Sequence, residues 1–221
     1  MRDLTPRIVL ELLAHEGLVR EAYRDSTGVW TWSVGITDAS GHRVYPRYKD
    51  NPQPLSHCLE VYVWLLRTRY LPQVIAAFGA YDPAEHELGA ALSFHWNTGA
   101  IARASWVGRF TSGDRDGARA SFLSWARPLA VAARRAREAA LLFDGQWSGD
   151  GSALVYAVSK PSYHPAGGQR QDLREAVDAL LSPPSASSAA SPEPALAPKP
   201  ATPSGGGPAS RPNWFGRLFG S

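Results

Sequence analysis

Apolar residues at Ile8, Val9, Leu12 and Leu13 follow the three-to-four spacing of one helix face. Thr5 followed by Pro6 has the form of an N-cap with proline at the first helical position, and Gly17 is a natural stop. Between Tyr23 and Tyr45 the pattern shortens to alternating runs broken by Gly28, Gly35 and Gly41. Val29 to Val34 suits a strand, and the whole stretch suits a small antiparallel sheet. An apolar-rich helix is expected from about Ser56, with Pro72 as its kink or break. Asp82-Pro83-Ala84-Glu85 reads as a capping box opening a helix through Leu88, Leu92 and Trp96. Further helices fit Ser105–Phe110, Gly113–Trp125 and Pro128–Phe143. A strand over Ala153–Ser159 and a helix over Gln171–Leu181 follow, and the Gly167-Gly168 pair between them reads as a plain turn. Strands segregated from helices in this order define an α+β class.

The periodicity stops at Ser182. From there to Ser210, 25 of 29 residues are Pro, Ala, Ser or Gly, too little apolar surface to offset the ordering entropy, so a disordered linker is expected. Nine of the 18 prolines lie between Pro183 and Pro212. An aromatic and basic tip, residues 211–221, carries Trp214, Phe215, Leu218 and Phe219 beside Arg211 and Arg217. Three readings stand for it: an unstructured end, a docking peptide, or a weak membrane-surface anchor.

Composition narrows the function classes. Apolar residues make up 44% of the 221, enough for a buried core, and the formal charge of +3 is too weak to argue for nucleic acid. A single cysteine, Cys58, excludes a disulfide framework. The six histidines show no metal spacing. The N-terminus lacks the apolar stretch of a signal peptide, and no apolar run is long enough to span a bilayer, so the expectation is a chain without stable membrane insertion that stays where it is made. Eight arginines against three acids between residues 100 and 140 read either as solvated helix faces with a structural cluster near Arg134 and Arg135, or as a patch attracting an anionic polymer. Trp30, Trp32, Trp96, Trp106 and Trp125 read first as core.

The candidate chemistry lies where the first helix meets the sheet. Glu16 falls in the last helical turn, where the negative end of the dipole raises a carboxyl pKa and favours a general acid. Asp25 follows nine residues later in the turn or first strand, among polar neighbours that keep it ionised. Thr31 lies six residues further, its hydroxyl able to hold a water. One protonated carboxyl opposite one carboxylate is what glycosidic cleavage needs, although solvated acidic pairs at such spacing are common.

The run from Glu16 through Tyr23, Asp25, Gly28 and Thr31 to Gly35 resembles the active-site signature of the phage-type lysozymes, glycoside hydrolase family 24. Ser93-Phe-His-Trp-Asn97-Thr-Gly99 resembles the family's central helix, and Trp125 to Gly145, with Arg134, Arg135 and Glu138, resembles its closing helix. The resemblance covers roughly residues 4–147. It implies a two-lobed lysozyme-like fold with a small antiparallel sheet lobe and a mainly helical lobe. It implies that Glu16 protonates the glycosidic oxygen while Asp25 and Thr31 position and activate water, with inversion and with no cofactor. Peptidoglycan is the implied substrate, cut between N-acetylmuramic acid and N-acetylglucosamine; Tyr23, Ser33 and Asn97 are the implied substrate-binding positions. A lytic transglycosylase and a non-catalytic wall-binding or virion module are the alternatives. A monomeric endolysin would wait in the host cytoplasm for a membrane-permeabilising partner.

Two departures stand out. Ser33 and Ile36 replace a glycine and a histidine of the family pattern, and His42 to Pro54 is an insert that reads either as a plain loop or as a rim touching sugar faces. The expected organisation is a catalytic domain over 1–147, a strand-and-helix appendix over 148–181, a linker over 182–210 and the tip over 211–221.

Overall fold

The computed structural model describes residues 2–182; the linker after Ser182 and the aromatic tip lie outside the described residues. Helix α1, Pro6–Glu16, begins as the pattern predicts: the Thr5 hydroxyl accepts from the Ile8 N–H and Pro6 occupies the first turn. Ile8, Val9, Leu12 and Leu13 are all fully buried, each contributing roughly 1.5–3 kcal/mol of transfer free energy. Gly17, at φ 65°, donates its N–H to the Leu13 carbonyl and turns the chain directly into strand β1, Leu18–Arg24.

Strands β2, Trp30–Ser33, and β3, Ile36–Thr37, complete an antiparallel meander with β1, in which Tyr23 pairs with Thr31 and Thr31 with Thr37. The sheet is larger than expected and mixed. Strands β4, Ser152–Ser159, and β5, His164–Asp172, extend it to the order β3-β2-β1-β4-β5, with β1 and β4 parallel. Gly167 and Gly168 therefore lie within β5 and not in a plain turn. Helix α8, Arg174–Leu181, follows, and Ala153, Val155, Leu173 and Val177 join the main apolar core.

The helical part runs α2, Leu55–Leu65, α3, Leu71–Phe78, α4, Glu85–Thr98, α5, Ser105–Thr111, α6, Arg115–Leu123, and α7, Ala132–Asp144. A π-helical segment, Leu66–Tyr70, joins α2 to α3, and Pro72 follows just after it, so the expected break is a local change of helical winding through which the helical backbone continues. The start of α4 departs from expectation. Its cap position is Ala84, whose N–H is accepted by Glu87 three residues on, whereas Glu85 accepts from the Thr5 hydroxyl and ties the starts of α4 and α1 together. Trp32, Trp96 and Trp106 are core, while Trp30 and Trp125 are half-buried.

The insert is a built loop. The Tyr48 ring stacks on Trp32 at 3.8 Å, its backbone carbonyl accepts from Ala22 N–H, and Gln53 N–H donates to the Arg20 carbonyl. The loop thereby satisfies backbone groups in the middle of β1, at Arg20 and Ala22. His42 donates to or accepts from the Tyr48 hydroxyl at 2.8 Å, and burial beside Arg47 and His57 holds its pKa down at about 4.

Candidate active site

Glu16, at the helix end, is only 7% exposed. Arg134 of α7 reaches it, Nη1 donating to Glu16 Oε1. The same guanidinium donates through Nε to Glu138 Oε1 at 2.8 Å and through Nη2 to the Ser93 carbonyl and hydroxyl, both at 3.2 Å. Ser93 in turn donates to Glu138 Oε1 at 2.6 Å. Arg135 pairs with the other oxygen of Glu138, donates to Asn97 Oδ1 at 2.9 Å and lies over the Phe94 ring. Burial works against every charge in this cluster. It is outweighed at Glu138 by the two arginines, which hold its pKa below the usual range, and at Arg134 by the two glutamates, which raise its pKa. Arg134 and Arg135 are thus the structural cluster among the chain's arginines, buried and ion-paired.

The network continues to the other side of α1. His15 Nδ1 lies 3.3 Å from the Ser93 hydroxyl, and His15 Nε2 lies 3.0 Å from Ser148 Oγ and 3.4 Å from Glu11 Oε1. Glu11 accepts the N–H groups of Ser148 and Gly149. Burial opposes the Glu11 carboxylate, but His15, Ser148 and Gly149 outweigh it and hold its pKa at about 2, against an ordinary 4.5. A carboxyl whose folded pKa is depressed stabilises the fold above its unfolded value and loses that contribution as pH falls through its folded value. Stability should therefore decline between about pH 4.5 and pH 2 in the wild-type protein. That part of the slope should flatten in Glu11→Gln, as read from thermal melts across the window; equal slopes would contradict it.

Asp25 sits at the turn between β1 and β2. Its Oδ1 accepts from Thr27 N–H at 2.8 Å, the Thr27 hydroxyl at 2.7 Å and Val29 N–H at 2.9 Å. Oδ2 has no hydrogen-bond partner among the described residues. Gly28, at φ 82°, closes the turn by donating to the Asp25 carbonyl. Thr31 is buried, and its hydroxyl donates to the Val29 carbonyl at 3.2 Å, the carbonyl that also takes the Asp25 N–H. Asp25 and Thr31 are thus both anchored to one residue, Val29, and the hydroxyl oxygen of Thr31 keeps its lone pairs.

The other three positions take different places. Tyr23 is 1% exposed, packed with Val19 and Tyr156, so its ring meets no solute without moving. Ser33 is buried at φ 55°, the left-handed region that glycine tolerates best, and its hydroxyl donates to the Cys58 carbonyl at 3.0 Å. The bond to α2 holds a strained residue where the resemblance predicts glycine. Asn97 accepts from Arg135 near the end of α4. Cys58 is free and buried, and burial pushes its thiol up to about 12, which leaves it unreactive. Among the described residues no group of three or more His, Cys, Asp or Glu is placed to hold a metal ion, and no helix is long and apolar enough to cross a membrane.

Arg134, Ser93, His15 and Glu11 were not among the expected site residues. Their signal is faint but present: Arg134, Arg135 and Glu138 put charges on the buried face of α7, where Leu141 and Leu142 pack.

Known structures share this architecture. The endolysin from Escherichia coli O157:H7 phage FAHEc1 superimposes with a TM-score of 0.51 at 18% identity, over 66% of this chain and 96% of that one. A mutant of P22 lysozyme does so with a TM-score of 0.52 at 21% identity, over 64% and 99%. The fold is therefore that of an α+β lysozyme. No curated protein sequence matches the chain. The Phage lysozyme family model matches residues 13–138, and the chain belongs to that family. Membership makes it a lysozyme-type glycosidase with peptidoglycan as its substrate class.

Proposed function

We propose that the protein is a muramidase that hydrolyses the β-1,4 bond between N-acetylmuramic acid and N-acetylglucosamine, with Glu16 as general acid and Asp25 and Thr31 directing water. The observation that carries this reading is the placement of the three residues. Glu16 ends a helix under the Arg134 clamp, and Asp25 and Thr31 are tied to one turn inside the family match. Arg134 fixes the carboxyl that must face the glycosidic oxygen. The three donors on Asp25 Oδ1 orient the carboxylate and leave Oδ2 to take a proton from water, whose second contact is the Thr31 hydroxyl. Attack by that water on the face opposite the leaving group inverts the anomeric centre.

Product analysis tests the reading. Digested peptidoglycan should carry reducing N-acetylmuramic acid ends, with the α-anomer formed first by NMR. Anhydromuramic ends would reassign the chain to lytic transglycosylation, and a first-formed β-anomer would reject inversion. Family membership also supports a phage lysis role, in which the enzyme accumulates in the host cytoplasm and a membrane-permeabilising partner gives it access to the wall.

A further inference from the structure

We propose that His15 is a positioning residue for the acid, an imidazolium shut away from solvent that fixes Ser93 and, through Ser93, the Arg134 guanidinium that holds Glu16. The proposal rests on the reading of Glu16 as the general acid. His15 lies in the last turn of α1, and its side chain is 1% exposed, so the ring itself meets no substrate.

The hydrogens around the ring decide its charge. Nδ1 faces the Ser93 hydroxyl at 3.3 Å, but that hydroxyl gives its one hydrogen to Glu138 Oε1 at 2.6 Å. Nε2 faces the Ser148 hydroxyl at 3.0 Å, whose hydrogen goes to Glu11 Oε1 at 2.5 Å. The same Glu11 oxygen lies 3.4 Å from Nε2. Glu11 and Glu138 are carboxylates, their pKa values held below the ordinary range against burial, and have no hydrogen to give. Neither ring nitrogen is offered a hydrogen, so both must donate. A histidine with two N–H groups is an imidazolium.

The same count fixes Ser93. Its oxygen donates to Glu138, and its two lone pairs take Arg134 Nη2 at 3.2 Å and His15 Nδ1. The hydroxyl cannot rotate without breaking a bond to a charged neighbour. Glu138 and Ser93 then hold the Nε and Nη2 corners of Arg134, which leaves Nη1 aimed at Glu16.

Charge balance supports the assignment. Glu11, Glu138 and Glu16 face His15, Arg134 and Arg135, three acids against three cations away from solvent. A neutral ring would leave the cluster one negative charge in excess. Burial opposes the charge on Glu138, and Arg135, Arg134 and then His15 outweigh it. Two of the groups that complete the cluster, Ser148 and Gly149, lie beyond residues 13–138. The chain after α7 thus reaches the acid through Glu11 and His15.

The test reads the ring first and then its two arms. In heteronuclear NMR of the nitrogen-labelled full chain, both ring nitrogens of His15, assigned through its backbone, should carry hydrogen at neutral pH. A ring with one bare nitrogen would overturn the imidazolium. His15→Asn keeps an N–H at the position of Nδ1, and His15→Gln keeps one at the position of Nε2. His15→Gln should therefore lose about ten- to a hundredfold in kcat on sacculi with KM unchanged, the usual cost of a loosened positioning shell. His15→Asn should restore most of that loss. A merely structural role would lower both variants in step with their melting temperatures. Equal kcat in the two variants, both folded by thermal melt, would overturn the route through Ser93. The acid reading fails separately, as a Glu16→Gln enzyme that still cleaves.

Discussion

Glu16→Gln should lower the release of reducing ends from peptidoglycan by about 10²- to 10⁴-fold, the usual contribution of a positioned general acid. The amide keeps the size of the carboxyl, and its oxygen can still accept from Arg134 Nη1, so the clamp from α7 survives. What disappears is the proton deliverable to a departing sugar oxygen. A turbidity assay on sacculi together with a reducing-sugar assay measures the loss, and a thermal melt shows that the fold persists. Activity within threefold of wild type would remove Glu16 from its role. The substitution separates chemistry from architecture because Glu16 has one described protein partner, whereas the groups behind it have several.

Glu138→Ala should cost about 3–5 kcal/mol of stability, because it leaves the two buried arginines it serves without their shared carboxylate. Arg135 is fully buried, and Arg134 retains only Glu16 and the Ser93 oxygens. For a domain of this length the loss corresponds to a fall in Tm of roughly 10 °C. Urea denaturation measures it directly, and a change below 1 kcal/mol would show that the guanidiniums find water or other acceptors. Activity should fall as well, since the carboxylate that fixes Arg134 also fixes the clamp on Glu16.

Local chemistry explains which features were legible in the sequence. The limits of α1 follow from Thr5, Pro6 and Gly17, each acting within one turn of its own position. Glu16, Asp25 and Thr31 lie on consecutive elements, so their spacing carries over directly into where they stand. Strand β5 was not legible, because Gly167, Gly168, Gln169 and Arg170 carry no apolar alternation; its pairing with β4 makes it a strand. The α4 cap was misplaced by two residues, since Asp82 and Glu85 imitate a box that Ala84 and Glu87 form in part. The Arg134–Glu16 pair spans 118 residues, a separation at which nothing local marks the partner.

The contacts of Ser148 and Gly149 with Glu11 join residues up to 138 apart, and β1 finds its parallel partner only in β4. The stretch that matches the family and the stretch that shares one apolar core therefore have different lengths. Ancestry is recorded in residues 13–138, but α1 and β1, which carry or adjoin the acid and the turn, are braced by chain that comes after them. Recombining this enzyme with other modules should therefore keep the chain through Val177 of α8, which is fully buried in the core.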